Sequence, residues 1–184
     1  WKRVYVSMVD ISERIRAEER LRYISFHDAL TGVANRAYFE EEMERLENSR
    51  RFPVTLLVCD LDDLKGINDA HGHEAGDGAI RAAAHVLTRA FRNEDLIARI
   101  GGDEFVASLA DSANTMEDVA EKRLQRGLKL FNEEHVEDDY YRPISLSYGT
   151  HTLQKGESLA EGLKIADQKM YVMKSERNAK RRSA

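Results

Sequence analysis

Two acidic groups in this chain have the residue types and spacing for metal-assisted phosphate chemistry. Asp60, Asp62 and Asp63 stand where the apolar run Val54–Cys59 gives out, so their carboxylates are expected at a sheet edge rather than in the core. Asp103 and Glu104 follow Gly101-Gly102 in what reads as a tight hairpin turn. If that hairpin pairs beside the Val54–Leu61 strand, carboxylates converge from adjacent strands, an oxygen donor set suited to a hard cation such as Mg²⁺. Taken singly, an acidic strand end is an ordinary solvated feature and a Gly-Gly pair an ordinary turn. Their conjunction with the intervening segment is more telling. Lys65-Gly66-Ile67-Asn68-Asp69 through Gly72-His73-Glu74-Ala75-Gly76-Asp77 is polar, glycine-hinged and leads into a helix. Backbone N–H groups at the start of a short helix near Leu64 and Lys65 can hold phosphate oxygens. Asn68 and Asp77 carry the donors and acceptors that read a base edge, and a carboxylate accepting from two nitrogens suits guanine over adenine. The alternative for this segment is a transition-metal site at His71 and His73, which lacks any nearby Cys.

Several elements must position these groups. Val54–Leu61, rich in Val, Leu and Thr, reads as a buried central strand. Leu96–Ile100 and Phe105–Leu109 read as the two arms of the hairpin, with Gly101 and Gly102 supplying positive φ at the reversal. Phe39, Met43 and Leu46 mark a helix ending before Pro53, and Ile80, Ala83, Ala84, Leu87 and Phe91 mark an amphipathic one. Thr115 with Asp118 resembles a capping box opening a helix through Ala120, Leu124, Leu128 and Phe131. A polar loop over 133–139 then leads to a strand in which Ile144, Leu146 and Tyr148 alternate with serines. Leu159, Leu163, Ala166, Met170 and Met173 line a last helix. At the start, Trp1–Ile11 reads as one strand, and Ser12 caps an Arg- and Glu-rich connector helix to about Phe26. Turns fill His27–Asn35. The fold class is α/β of the α+β type, with helices flanking a largely antiparallel central sheet.

Composition narrows the function further. The 184 residues are 42% hydrophobic and 33% charged with a net charge of −5, which describes a single globular domain with no broad nucleic-acid-binding surface. No apolar run approaches the ~20 residues of a membrane span. Lys180, Arg181 and Arg182 form a short basic tail. The lone Cys59 lies within the apolar run, as a small buried hydrophobe in a reducing, cytoplasmic setting. The chain opens with Trp1, and is read as a piece of a longer protein.

Four ordered blocks resemble one family. Arg99-Ile100-Gly101-Gly102-Asp103-Glu104-Phe105 contains the GGDEF signature of diguanylate cyclases. Asp28-Ala29-Leu30-Thr31-Gly32-Val33-Ala34-Asn35-Arg36 resembles that family's opening block, and Asp60 to Asp69 with Gly72-His73 and Gly76-Asp77 its nucleotide-binding block. Ala166-Asp167, Met170-Tyr171 and Lys174 resemble its closing helix. The resemblance implies a nucleotidyl-cyclase-like fold over residues 27–178, with 1–26 as the end of an upstream sensor plus connector helix and 179–184 as tail. It implies condensation of two GTP to cyclic di-GMP with loss of two pyrophosphates, in a homodimer whose facing domains each hold one GTP. Carried over, Asp60, the Leu61 carbonyl and Asp103 would be ligands for Mg²⁺ or Mn²⁺. Glu104 would assist deprotonation or bind a second metal, the choice between Asp103 and Glu104 as base staying open. Leu64, Lys65, Asn68, His73, Asp77, Gly101 and Gly102 would line the nucleotide site, Asn68 and Asp77 binding guanine. Lys174 and Arg177 would bind the terminal phosphates.

Arg92 and Asp95 match the family's product-binding inhibitory motif, with Arg123 or Lys122 completing it, so cyclic di-GMP is expected as inhibitor as well as product. The closing block departs from the family, being one residue short and lacking its Gly, which bears on Arg177. Leu64 replaces a common aromatic, keeping an apolar anchor. Val9-Asp10-Ile11-Ser12-Glu13-Arg14 resembles the end of a PAS sensor domain. The physical chemistry agrees with the carry-over, because a triphosphate bearing about four negative charges needs divalent cations between it and an acidic site. The competing readings are a catalytically silent GGDEF domain that binds GTP or cyclic di-GMP as a sensor, and a cyclase closing one nucleotide on itself.

Overall fold

A computed structural model describes residues 10–47, 52–110, 116–135 and 143–183. In chain order its elements are α1 Ser12–Phe26, β1 Ala34–Asn35, α2 Arg36–Glu47, β2 Val54–Leu61, α3 Leu64–His71, α4 His73–Ala90, β3 Leu96–Arg99, β4 Glu104–Ala110, α5 Met116–Glu134, β5 Leu146–Leu153 and α6 Leu159–Ser183. Five strands form one sheet in the order β1-β3-β4-β2-β5. Every pairing is antiparallel except the short β1–β3 contact.

The apolar run of β2 is continuous because both its faces are covered. Leu57, Cys59 and Leu61 point into a core with Ile80, Ala84 and Leu87 of α4 and Leu124 of α5. Val54, Leu56 and Val58 point the other way, into a core with Phe39 and Met43 of α2 and Ala166 and Met170 of α6. Burial pushes the Cys59 thiol far above its ordinary range, which leaves it unreactive.

β2 lies between β4 and β5, so the acids at its end do not emerge at a sheet edge. Asp60 and Asp62 are only 4% and 8% exposed, roofed by α6, and Asp63 alone faces solvent. The hairpin also differs from expectation. Arg99 pairs with Phe105, leaving a five-residue loop, and the positive φ values among the described residues belong to Gly32, Asp63, Gly72 and Gly156. Gly101 instead leaves room for the Glu104 carboxylate, since a Cβ there would stand 2.6 Å from Glu104 Oε2. The loop closes through the Ile100 N–H, which donates to the Glu104 carbonyl at 3.0 Å.

α1 has the anticipated bounds, but Ser12 is its first residue rather than its cap, and its N–H donates to Asp10 Oδ1 at 2.9 Å. At the other end Asn35 Nδ2 donates to the Ser25 carbonyl, and Tyr23 stacks on His27 with ring centroids 4.0 Å apart. The strand expected over the first residues and the Thr115 cap fall largely or wholly outside the described residues. α5 runs through Glu134, one residue beyond the start of the anticipated loop. No helix among the described residues is long and apolar enough to cross a membrane.

Candidate active site

The β2–β4 register brings the two acidic groups together. Asp60 lies directly opposite Glu104, so both side chains leave the sheet on one face. The Leu61 N–H donates to the Asp103 carbonyl at 3.0 Å, which ties the GGDE loop to the end of β2. From α6, Lys174 Nζ donates to Asp60 Oδ1 at 2.6 Å. Burial, reinforced by the charges of Asp103 and Glu104, holds the Asp60 carboxyl above its ordinary range despite the Lys174 bond. Burial disfavours the Lys174 ammonium, yet its bond to Asp60 and the nearby Asp103 and Asp62 charges raise it nevertheless. Burial lifts the Asp60 carboxyl first and the surrounding carboxylates add to it, while Asp60, Asp103 and Asp62 lift the Lys174 ammonium against burial.

That excess negative charge, the all-oxygen donor set and an ammonium already seated on Asp60 fit a divalent cation. Among the described residues, no three His, Cys, Asp or Glu side chains converge on one point.

The hairpin loop is held from outside by a pair that sequence reading left without a role. Arg99 Nη1 contacts Asp28 Oδ1 and Oδ2 at 3.0 and 3.2 Å. Its Nε donates to the Gly101 and Gly102 carbonyls at 3.2 Å each, and its Nη2 to Gly102 at 2.7 Å. Asp28 also accepts from the Thr31 N–H and hydroxyl. Burial opposes the Asp28 charge, but the Thr31 and Arg99 bonds outweigh it and hold the carboxyl below its ordinary range. An Arg immediately before the glycines and an isolated Asp before Thr31-Gly32 were the available signals; their contact spans 71 positions.

Asp63, at φ 65°, turns the chain into α3, and Gly72, at φ 84°, turns it again into α4. Asn68 of α3 and Asp77 of α4 are half-buried, Leu64 packs against the core, and Lys65, His71 and His73 are exposed. Asn68 Oδ1 is a buried oxygen with no hydrogen-bond donor among the described residues, so a bound ligand or an ordered water is needed to satisfy it. Gly76 makes room for it, because a Cβ there would overlap that oxygen. Gly76→Ala is therefore expected to displace the Asn68 amide and, at the nucleotide site that the sequence resemblance implies, to weaken GTP binding about tenfold, the worth of one buried hydrogen bond. The colliding atom ends a side chain, so the melting temperature should hardly move. Calorimetric titration beside thermal unfolding checks both.

Arg177 does not join Lys174 at Asp60. Its Nη1 donates to Asp62 Oδ2 at 2.6 Å, Ser145 Oγ at 2.7 Å and the Leu146 carbonyl at 2.8 Å. The inhibitory candidates lie elsewhere, at the turn after α4. Asp95 Oδ2 accepts from the Arg92 N–H at 2.9 Å, while the Arg92 side chain is exposed. Burial raises the Asp95 carboxyl, and the Arg92 N–H and the Arg123 charge work against that. Arg123 also lines a hollow of about 310 Å³ between α4 and α5, with Arg89, Arg126 and Gly127, whereas Lys122 is exposed.

Comparison with known proteins agrees with this architecture. The family model described as "Diguanylate cyclase, GGDEF domain" matches residues 25–180. The chain is 33% identical over 177 residues to the probable diguanylate cyclase DgcC of Escherichia coli K12, covering 92% of this chain and 46% of that protein. It is 31% identical over 156 residues to the probable diguanylate cyclase DgcJ of the same organism, covering 83% and 30% respectively. The chain thus spans less than half the length of both relatives. The crystal structure of the coiled coil and GGDEF domain of DgcB from Caulobacter crescentus, in complex with c-di-GMP, matches with a TM-score of 0.73. That match has 28% identity and covers 89% of this chain and 88% of the other. From the acid-paired hairpin to the closing helix, the chain belongs to the GGDEF-domain family of diguanylate cyclases.

Proposed function

We propose that this domain joins two GTP into cyclic di-GMP, with loss of two pyrophosphates, in a homodimer that presents two such sites to each other. The carrying observation is the net-negative cluster of Asp60, Asp103 and Glu104 at the end of β2, with the Lys174 ammonium on it. Asp60, the Leu61 carbonyl, Asp103 and Glu104 would hold Mg²⁺ or Mn²⁺, which when bound would stabilise charge on the α-phosphoryl group and the leaving pyrophosphate. Asn68 and Asp77 orient the guanine. Lys174 and Lys65 hold the terminal phosphates, with N–H groups at the start of α3 beside them and His73, Leu64, Gly101 and Gly102 bordering the nucleotide. Glu104 takes the proton of the 3′-hydroxyl that attacks from the partner's nucleotide. Such transfer depends on positioning and electrostatics, with no covalent enzyme intermediate.

In this reading Arg92, Asp95 and Arg123 form an inhibitory site for the product. An Arg fork suits a guanine edge or a phosphate. α1 links an upstream sensor resembling a PAS domain to the cyclase, which works in the cytoplasm. A coupled assay of pyrophosphate release tests the proposal. The expected result is release from GTP but not ATP, dependent on Mg²⁺ or Mn²⁺, at a rate per chain that rises with protein concentration. Release equal from both nucleotides, or independent of protein concentration, would overturn the guanine assignment or the dimeric site.

A further inference from the structure

Two cations of α6 face two carboxylates at the end of β2, and their surroundings differ. Among the described residues Lys174 makes one hydrogen bond, to an Asp60 that sits among other negative charges, and its ammonium retains two further protons. Its remaining donors could meet a phosphate, and a divalent cation, if held by Asp60, would take over that carboxylate. Arg177 has no such freedom. Asp62 accepts from Ser145 Oγ at 2.5 Å on one oxygen and from Ser147 Oγ at 2.6 Å on the other, besides Arg177. The Asp62 N–H extends the β2–β5 ladder by donating to the Ser145 carbonyl at 2.9 Å. Asp62 and Arg177 side chains are 6% and 38% exposed. Drawing the guanidinium away to a nucleotide would strand a buried carboxylate without its cation.

We propose that Arg177 is a positioning residue that does not touch the nucleotide: latched to Asp62, Ser145 and the Leu146 carbonyl, it fixes the turn of α6 that places Lys174 over Asp60. This rests on the cyclase reading, in which Lys174 meets the terminal phosphates. The latch makes Asp62, a residue outside the nucleotide contacts, a determinant of triphosphate affinity.

The test measures affinity for a GTP analogue with a methylene α–β bridge, in Mg²⁺, for Lys174→Ala, Arg177→Ala, the double variant and Asp62→Asn, with thermal unfolding alongside. Lys174→Ala should weaken binding about tenfold and Arg177→Ala about threefold to tenfold, with the double variant matching Lys174→Ala within twofold, because Arg177 acts through Lys174. Asp62→Asn should weaken binding about threefold. If Arg177 contacts phosphate itself, the single effects multiply in the double variant, and Asp62→Asn, by releasing the guanidinium, tightens binding. Either result overturns the proposal. So does an Arg177→Ala chain that melts earlier with unchanged affinity, which would make the latch structural only. A Lys174→Ala chain with undiminished affinity instead sinks the phosphate role of Lys174, and the proposal with it.

Discussion

Glu104→Ala is expected to cut cyclic di-GMP formation by about a thousandfold or more while leaving affinity for the methylene-bridged GTP analogue within a few-fold. The carboxylate stands across the ladder from Asp60, on the face that carries Lys174, and in the proposed chemistry it takes the proton of the attacking hydroxyl and shares the divalent cation with Asp60, Asp103 and the Leu61 carbonyl, which remain to hold it in the variant. A positioned proton acceptor contributes roughly a hundredfold to ten-thousandfold, and loss of a charge that also favours the divalent cation adds to that. The substitution leaves the fold intact. Glu104 is half-buried, its backbone bonds to Ile100 and Gly101 survive, and the loop keeps its Arg99 clamp. Mass-detected product, analogue titration and thermal unfolding of the same preparation separate the effects. Turnover within tenfold of the parent would remove Glu104 from the chemistry, and equal losses of turnover and affinity would recast it as a binding group.

The largest effect on stability is expected at Gly149, where β5 lies against α6. A Cβ there would collide with the Ala166 carbonyl oxygen, the Met170 amide nitrogen and the Lys169 Cβ. Two of these are helix backbone, which cannot swing aside as a side chain does, so α6 must move off the sheet. Overpacking in a filled core costs about 1–3 kcal/mol, and a clash with backbone lies at or above the top of that range. Gly149→Val should therefore lose about 3 kcal/mol or more, seen as a lower denaturant midpoint or as insoluble protein. Because α6 carries Lys174 over Asp60, any folded remainder should also bind the analogue less well. An unfolding free energy within about 0.5 kcal/mol of the parent, the scale of ordinary surface changes, would mean that α6 accommodates the valine.

The apolar period made most of the fold legible. β2 follows from an uninterrupted Val, Leu and Thr run, and α4 and α6 from stripes spaced three and four apart. The convergence of Asp60 and Glu104 was readable as a possibility, since both end candidate neighbouring strands; the register that sets them opposite each other was not. What escaped the sequence depends on contacts between distant positions. Asp62 looked solvated because its local neighbours are acidic, yet Ser145, Ser147 and Arg177, the last 115 positions away, bury and satisfy it. The glycines of the loop suggested positive φ, whereas Gly101 leaves room for the Glu104 carboxylate. Gly149 carried no signal beyond an interruption in an alternating strand, a pattern that marks close backbone approach only once the helix above it is known.

The most direct test of the account is product identity. The purified chain is incubated with GTP and Mg²⁺ at several protein concentrations, and the nucleotides are separated by chromatography with mass detection. The account predicts cyclic di-GMP, in yields per chain that climb with protein concentration. GTP bound but unchanged at every concentration would contradict it in favour of a sensor module, and 3′,5′-cyclic GMP would contradict it in favour of a cyclase that closes one nucleotide on itself.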